Sequence, residues 1–268
     1  MKRYIGLGVV ACFGAAAAAG PVFEQGFEVD ASGWLDNDDY AGYGQVNRVA
    51  SNGGTLGVSS FNGGFHAEFG NDGDSSAAFT RFDGYRTAFG NGFVAENSVY
   101  LDVNAALGSG FDYSVAANGQ DNAHKRDFIF HVTRDSDDGI LRVAGSNNTN
   151  FAPREDLGAI NHYEVTTSGW YTLQHVFRND GGVLAVDLNL VDALGNVLWT
   201  ETRSDGSDII ATVIGGNRYG WFTHITDMTV AVDDTTLTLT IIPLPTAAGL
   251  TLAGLGLVGT RRYRSLNA

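Results

Sequence analysis

The chain has 268 residues, of which 30 are acidic, 16 basic, 36 glycine, 4 proline and one cysteine, for a formal net charge of −14. These counts, with no run of twenty uninterrupted apolar residues, exclude a disulfide scaffold, a collagen-like repeat and a multi-span membrane protein. The acidic balance also argues against a nucleic-acid partner, because affinity for a polyanionic phosphate backbone comes from Lys and Arg.

Residues 1–20 open with Lys2 and Arg3, run through an apolar stretch from Tyr4 to Phe13, and end in five alanines, Ala15 to Ala19. A positive start, a short apolar segment and small residues at its end are the three parts of a secretory signal peptide, helical in its apolar part. Cleavage is expected after Ala19, since a cut after Gly20 would place Pro21 at the scissile bond. A rival reading takes Val9-Val10-Ala11-Cys12 as a lipobox, with Cys12 the lipidated first residue of a lipoprotein.

Residues 21–242 are expected to be the folded domain. The two ends hold five of the basic side chains and no acidic one, so this region carries eleven basic against thirty acidic groups, a net −19, with Lys125 its single lysine. Such a charge keeps an exported protein soluble and repels acidic polymers at long range. Its periodicity is that of strands: Leu184, Val186, Leu188 and Leu190 alternate with Ala185, Asp187 and Asn189, and Phe128, Phe130 and Val132 with Ile129, His131 and Thr133. Further strand-length segments run over 45–50, 65–69, 98–103, 111–116, 140–144, 170–177, 197–203 and 236–242. Between them stand turn signals such as Asn52-Gly53-Gly54, Asn62-Gly63-Gly64, Asp137-Asp138-Gly139, Asn179-Asp180-Gly181-Gly182 and Gly195-Asn196. About a dozen short strands with frequent turns, undivided by a Pro- or Ser-rich linker, predict one antiparallel two-sheet domain.

The succession Ser168-Gly169-Trp170-Tyr171, the strand from Val183 to Val191, and Gly195-Asn196-Val197-Leu198 resembles that of concanavalin-like and laminin-G-like domains, as do Phe23-Glu24 and Gly33-Trp34 near the start. The resemblance implies an all-β, two-sheet antiparallel jelly-roll sandwich.

Catalytic signals are sparse. Jelly-roll glycanases alternate two glutamates and an aspartate along one strand, E-x-D-x-x-E, to place acid and nucleophile about 5 to 5.5 Å apart. Here Glu28-Val29-Asp30 is followed by Ala31-Ser32-Gly33, so no catalytic residue is assigned. No metalloprotease His-Glu pair, nucleophile elbow or phosphate loop is present. Asp135-Ser136-Asp137-Asp138-Gly139 reads as a hairpin turn. Calcium is the one candidate cofactor, at the carboxylate-rich loops bearing Asp36, Asp38, Asp72 and Asp74. The six histidines lack metal-ligand spacing within one strand, and His124-Lys125-Arg126-Asp127 reads as a loop of local ion pairs.

Sugar recognition needs exposed rings for pyranose faces beside directional polar groups. The candidates are Trp34, Tyr40, Tyr43, Tyr85 with Arg86, and Asn217, Arg218 and Tyr219, whereas Trp170 and Trp221 adjoin apolar strands and are expected in the core.

After the strand ending at Ile242 come Pro243, Leu244 and Pro245, fourteen small or apolar residues from Thr246 to Gly259, and the cluster Arg261, Arg262, Tyr263, Arg264. Fourteen helical residues span about 21 Å, short of a hydrocarbon core of about 30 Å, and make a weak transmembrane anchor with its arginines on the cytoplasmic side. At these residues the chain resembles the PEP-CTERM sorting signal of Gram-negative bacteria, departing from it at Leu244, where the family has Glu. The resemblance implies export, transient retention in the inner membrane, cleavage by an exosortase-type enzyme of a variant kind, and release to the cell surface or extracellular matrix. The expected function is thus a non-catalytic exported surface or matrix protein that binds exopolysaccharide. The alternatives are a divergent polysaccharide hydrolase or lyase and a permanently anchored periplasmic protein.

Overall fold

Alternation of inward apolar and outward polar residues yields fifteen strands in the computed structural model, which describes residues 20–70, 76–148 and 154–240. In chain order they are β1 (Phe23–Gln25), β2 (Trp34–Leu35), β3 (Val46–Ala50), β4 (Phe65–Phe69), β5 (Ser76–Thr80), β6 (Phe93–Leu101), β7 (Gly110–Gly119), β8 (His124–Arg134), β9 (Leu141–Asn147), β10 (His162–Val165), β11 (Gly169–Asp180), β12 (Val183–Asp192), β13 (Val197–Ile209), β14 (Ile214–Thr226) and β15 (Val230–Leu239). A single 3₁₀ turn, Leu157–Ala159, precedes β10, and the described residues contain no α-helix. Cys12, Ala19, Asp72, Asp74, the proline motif and the arginine cluster lie outside the described residues, as do the expected signal and anchor helices.

All strand pairs are antiparallel. One sheet has the order β13-β12-β11-β6-β15-β4-β3, with β1 continuing the β4 side of β15; the other has the order β10-β9-β8-β7-β14-β5-β2. This is a two-sheet antiparallel sandwich, consistent with the jelly-roll expectation. Its core is the period-two face of both sheets. Phe177 of β11 stacks on Phe93 of β6 at 4.2 Å and meets Phe128 of β8 edge-on at 5.3 Å, while Phe222 of β14 packs on Phe69 of β4 at 5.1 Å. Each fully buried aromatic contributes on the order of 2 to 3 kcal/mol by leaving water. With no cysteine in residues 20–240, this packing and the strand ladders hold the domain together.

Turn signals read from the sequence take the backbone they require. Gly54, Gly63, Gly139, Gly181, Gly182 and Gly195 all have φ between 60° and 97°, the left-handed region that a Cβ disfavours. Asp135 caps its hairpin as expected, accepting the Asp137 N–H at 2.8 Å.

Four expectations change. Trp34, a candidate sugar-binding ring, is 5% exposed and packs in the core on Phe69. Trp170, expected in the core, instead lies half-buried, its ring near Phe61, His66 and Tyr100 and its Nε1 donating to the Ser59 carbonyl at 2.8 Å. His124 to Asp127 begin β8 rather than a loop, although their ion pairs are there: Arg126 with Asp208 at 2.5 Å, and His124 with Asp127 at 3.0 Å. Trp221, the second tryptophan expected inside, points the other way, and with it the functional face begins.

Candidate functional site

On β14, Phe222 faces the core and Trp221 the outer side of the seven-stranded sheet, as the two-residue period demands. Trp221 is paired across the ladder with Phe79 of β5. These two rings belong to an open cleft of about 290 Å³, lined also by Tyr40, Tyr43, Arg81, Tyr85, Arg218 and Tyr219. Six of the eight lining residues are Phe, Tyr or Trp, contributed by the loop after β2, by β5 with the loop that follows it, and by β14.

A β-bulge shapes the cleft. In the pairing of β14 with β7, Asn217 faces Ala117 and Tyr219 faces Ala116, so Arg218 is an extra residue with no partner of its own. Regular alternation would send Arg218 and Tyr219 to opposite faces of the sheet. The inserted residue lets both line the same cleft.

Two loops build the walls. The acidic loop after β2 is drawn into turns by its own carboxylates and amides: Asp36 Oδ1 accepts the Asp38 N–H at 2.9 Å, Asp36 Oδ2 the Val46 N–H at 3.0 Å, and Asn37 Oδ1 the Gly42 N–H at 3.0 Å. Tyr40 and Tyr43 are thereby held 5.6 and 5.2 Å from Phe79, centroid to centroid. The loop after β5 is pinned by Phe82, whose backbone has φ 53° and whose ring is buried against Phe23. It is pinned again by Asn217, whose Nδ2 donates to the Gly84 carbonyl at 3.1 Å. Arg81 and Tyr85 project from this loop.

The cations of the cleft rest on its rings. The Arg81 guanidinium carbon lies 5.8, 5.7 and 5.3 Å from the centroids of Tyr40, Phe79 and Tyr85, and that of Arg218 lies 4.7 Å from Tyr85 and 5.9 Å from Tyr219. Arg81 Nη2 donates to the Tyr40 hydroxyl at 3.1 Å, and Arg218 Nη1 to the Asn122 carbonyl at 2.6 Å. Tyr219 stacks on His124 at 6.1 Å and donates to Asp127 at 3.2 Å. Burial, with the Asp127 carboxylate beside it, pushes the Tyr219 hydroxyl well above its usual range, so it serves as a neutral donor.

Of the residues singled out from the sequence, Tyr40, Tyr43, Tyr85, Arg218 and Tyr219 line this cleft. Arg86 and Asn217 do not. Arg86 pairs with Asp83, and Asn217 is fully buried, anchoring the loop. Asp36 spends its carboxylate on backbone N–H groups, and no cluster of three His, Asp or Glu able to hold a metal occurs among the described residues. Glu28 and Asp30 likewise accept backbone N–H groups, from Phe65 at 3.0 Å and Ser32 at 2.9 Å. Sequence reading missed Phe79 and Arg81 and misplaced Trp221; the ladder pairing that joins Phe79 to Trp221 leaves no local signal.

A second constellation lies on the same face, across β7, β8 and β9. His131 Nδ1 is 2.6 Å from Asp112 Oδ1, and His131 Nε2 is 2.7 Å from Ser146 Oγ. The order Asp, His, Ser is that of a hydrolytic triad. Asp112 and His131 are wholly buried and Ser146 is 8% exposed. Segment 154–160 lies against this region: Leu157 is buried, and Gly158 abuts the Arg142 guanidinium of β9. A nucleophile there has little access to a substrate.

Among known proteins, no family model and no curated protein matches this chain. Solved structures do match at low identity. A carbohydrate esterase of the Shiga toxin-encoding bacteriophage phi24B is 14% identical over 83% of this chain and 99% of its own, with a TM-score of 0.49. The CBM2 module of the evolved Dit of Lactobacillus casei BL23 phage J-1 is 12% identical over 83% and 97%, with a TM-score of 0.39. Lectin I of Ulex europaeus, in complex with the methyl glycoside of α-L-fucose, is 11% identical over 81% and 96%, with a TM-score of 0.40. At these values the functional argument rests on the cleft's own residues.

Proposed function

We propose that this is an exported, non-catalytic surface or matrix protein that binds a polysaccharide in the cleft between the β2 and β5 loops. One observation carries the reading: Tyr40, Tyr43, Phe79, Tyr85, Tyr219 and Trp221 surround a single open cleft that also holds two guanidinium groups. Flat rings match the CH faces of pyranoses, and fixed donors match their hydroxyls. Affinity electrophoresis of the full-length protein through gels containing different polysaccharides tests it. Retardation by at least one of them, lost in Trp221→Ala, is expected; equal mobility of both proteins in every gel rejects it.

The signal-like start and the PEP-CTERM-like tail support export followed by exosortase-type processing. Mass spectrometry of the mature protein should find a start at Gly20 and a C-terminus near Pro243 to Pro245. A chain still ending in Ala268 would make it a permanently anchored periplasmic protein instead.

The hydrolase reading has one observation in its favour, the Asp112–His131–Ser146 alignment. In it, Ser146 Oγ attacks an ester carbonyl, its proton passes through His131 Nε2 to the departing alcohol, and water then releases the acid and regenerates the serine. A fluorophosphonate probe decides: labelling that disappears in Ser146→Ala establishes the hydrolase, and its absence leaves the alignment a structural network.

A further inference from the structure

The two arginines of the cleft are exceptional in their surroundings. Residues 21–242 hold thirty carboxylates for eleven basic side chains, so an arginine has abundant partners. Arg86, Arg126, Arg142, Arg154, Arg178 and Arg203 each form an ion pair with Asp or Glu. Arg48, over the Phe65 ring, and Arg134 also lack a carboxylate partner among the described residues but each direct two guanidinium nitrogens to backbone carbonyls, whereas Arg218 gives one, Nη1 to Asn122, and Arg81 gives Nη2 to the Tyr40 hydroxyl. Arg81 and Arg218 share the Tyr85 ring, and among the described residues neither is paired with a carboxylate. Arg218 Nε and Trp221 Nε1 are buried donors without an acceptor among the described residues. Two neighbouring carboxylates are engaged elsewhere: Asp83, two residues from Arg81, with Arg86, and Asp127, the acceptor of the Tyr219 hydroxyl, also with Ser114 and His124.

We infer that the cleft selects an acidic polysaccharide, with Arg81 and Arg218 receiving an oxyanion borne on the sugar ring while the aromatic residues take the ring's apolar face. This rests on the polysaccharide-binding reading above and adds the class of sugar. Guanidinium forks match the planar geometry of a carboxylate and also accept sulfate, so the shared chemistry is a ring-borne carboxylate or sulfate ester. A guanidinium over an aromatic ring keeps its in-plane N–H donors free at the edge, where an oxyanion can bind without displacing a protein carboxylate.

The test measures binding of full-length protein to three probes by isothermal titration: oligogalacturonate, the same oligomer after carboxyl reduction, and dextran sulfate. Oligogalacturonate is expected to bind about ten-fold more tightly than its reduced form, the scale of one charge-assisted hydrogen bond. The double variant Arg81→Gln/Arg218→Gln should erase that difference, whereas Arg178→Gln, which removes one positive charge on the other sheet, should preserve it. Arg81→Gln alone, which loses the bond to the exposed Tyr40 and the guanidinium contacts with the Tyr40, Phe79 and Tyr85 rings but no ion pair, should reduce the preference and covers the case in which the double variant fails to fold. Tight binding of dextran sulfate that depends on both arginines, without binding of oligogalacturonate, supports the anion and assigns it to sulfate. Equal affinity for the acidic and reduced oligomers, unchanged by either arginine variant, overturns the inference while the polysaccharide reading stands. Failure of all three probes, together with unretarded migration in every polysaccharide gel, overturns the underlying reading.

Discussion

The outer face of the seven-stranded sheet has two ends built on opposite rules. Across β7, β8 and β9 the polar groups bond to one another: Asp112 to His131, His131 to Ser146, and Arg142 to Asp135 and Asp138 at 3.0 and 2.6 Å. Segment 154–160 then lies over them. Across β14 and β5 the rings line an open cleft, the two guanidinium groups have no carboxylate partner among the described residues, and a bulge turns Arg218 and Tyr219 to the same side. The difference teaches that side-chain type alone does not mark a site, since the closed end has the more reactive-looking inventory. What marks it is rings and guanidinium groups that line an open cleft, the guanidinium groups without a carboxylate partner among the described residues.

The largest expected effect is a break in the closed end. His131→Ala removes the imidazole hydrogen-bonded to a wholly buried carboxylate and leaves a cavity in its place, a combined cost of about 3 to 5 kcal/mol. Urea unfolding should show that loss, with the folded fraction still binding glycan as before. A cost under about 1 kcal/mol would mean that the two ends are not built differently.

A somewhat smaller effect comes from two buried titrating groups that lie in neither end. His175 sits between Tyr113 and Phe130, where burial lowers its pKa to about 3; Asp233 on β15 is buried and raised to about 7. Between pH 3 and its unfolded value near 6.5, His175 is protonated only when unfolded, so stability falls as pH falls. Between pH 3.8 and 7, Asp233 is protonated only when folded, so its contribution falls as pH rises. The two oppose each other over about pH 4 to 6.5, each with a limiting slope of about 1.4 kcal/mol per pH unit. Urea midpoints at several pH values should therefore slope upward with pH in Asp233→Asn and downward in His175→Gln. Parallel curves for the two variants would contradict the assignment.

Much of the sandwich is legible in the sequence because a half-buried strand writes its burial every second residue, as Leu184 to Leu190 and Phe128 to Val132 do. β14 escaped because Gly215, Gly216 and Gly220 remove side chains from the pattern and its bulges shift the period. Tyr40, Tyr43, Tyr85, Arg218 and Tyr219 could be named as a ring-and-donor set. That they share one cleft could not, since β5 and β14 meet only through long-range pairing. The same holds for Asp112, His131 and Ser146, one on each of three strands. Trp221 misled because a tryptophan in an apolar run reads as core, and which face it takes depends on a register that bulges alter.

At the open end, Trp221→Ala should weaken polysaccharide binding about ten-fold, roughly 1.4 kcal/mol, while Trp170→Ala on the other sheet leaves it unchanged. A matching loss in both variants would remove the distinction between the cleft and other half-buried aromatics.

The smallest effect tests how a cationic cleft works in a domain of charge −19. The field of the remaining carboxylates reaches about 30 Å at 0.01 M salt but about 8 Å at 0.15 M, whereas a guanidinium in contact with its ligand is screened far less. An acidic oligosaccharide should therefore associate a few-fold faster at 0.15 M than at 0.01 M, opposite to the usual loss of rate for oppositely charged partners. Stopped-flow mixing with oligogalacturonate measures it. A rate that falls steadily over that range would mean that the cleft's two arginines dominate the distant field, and that the thirty carboxylates matter less to the approaching ligand than their number implies.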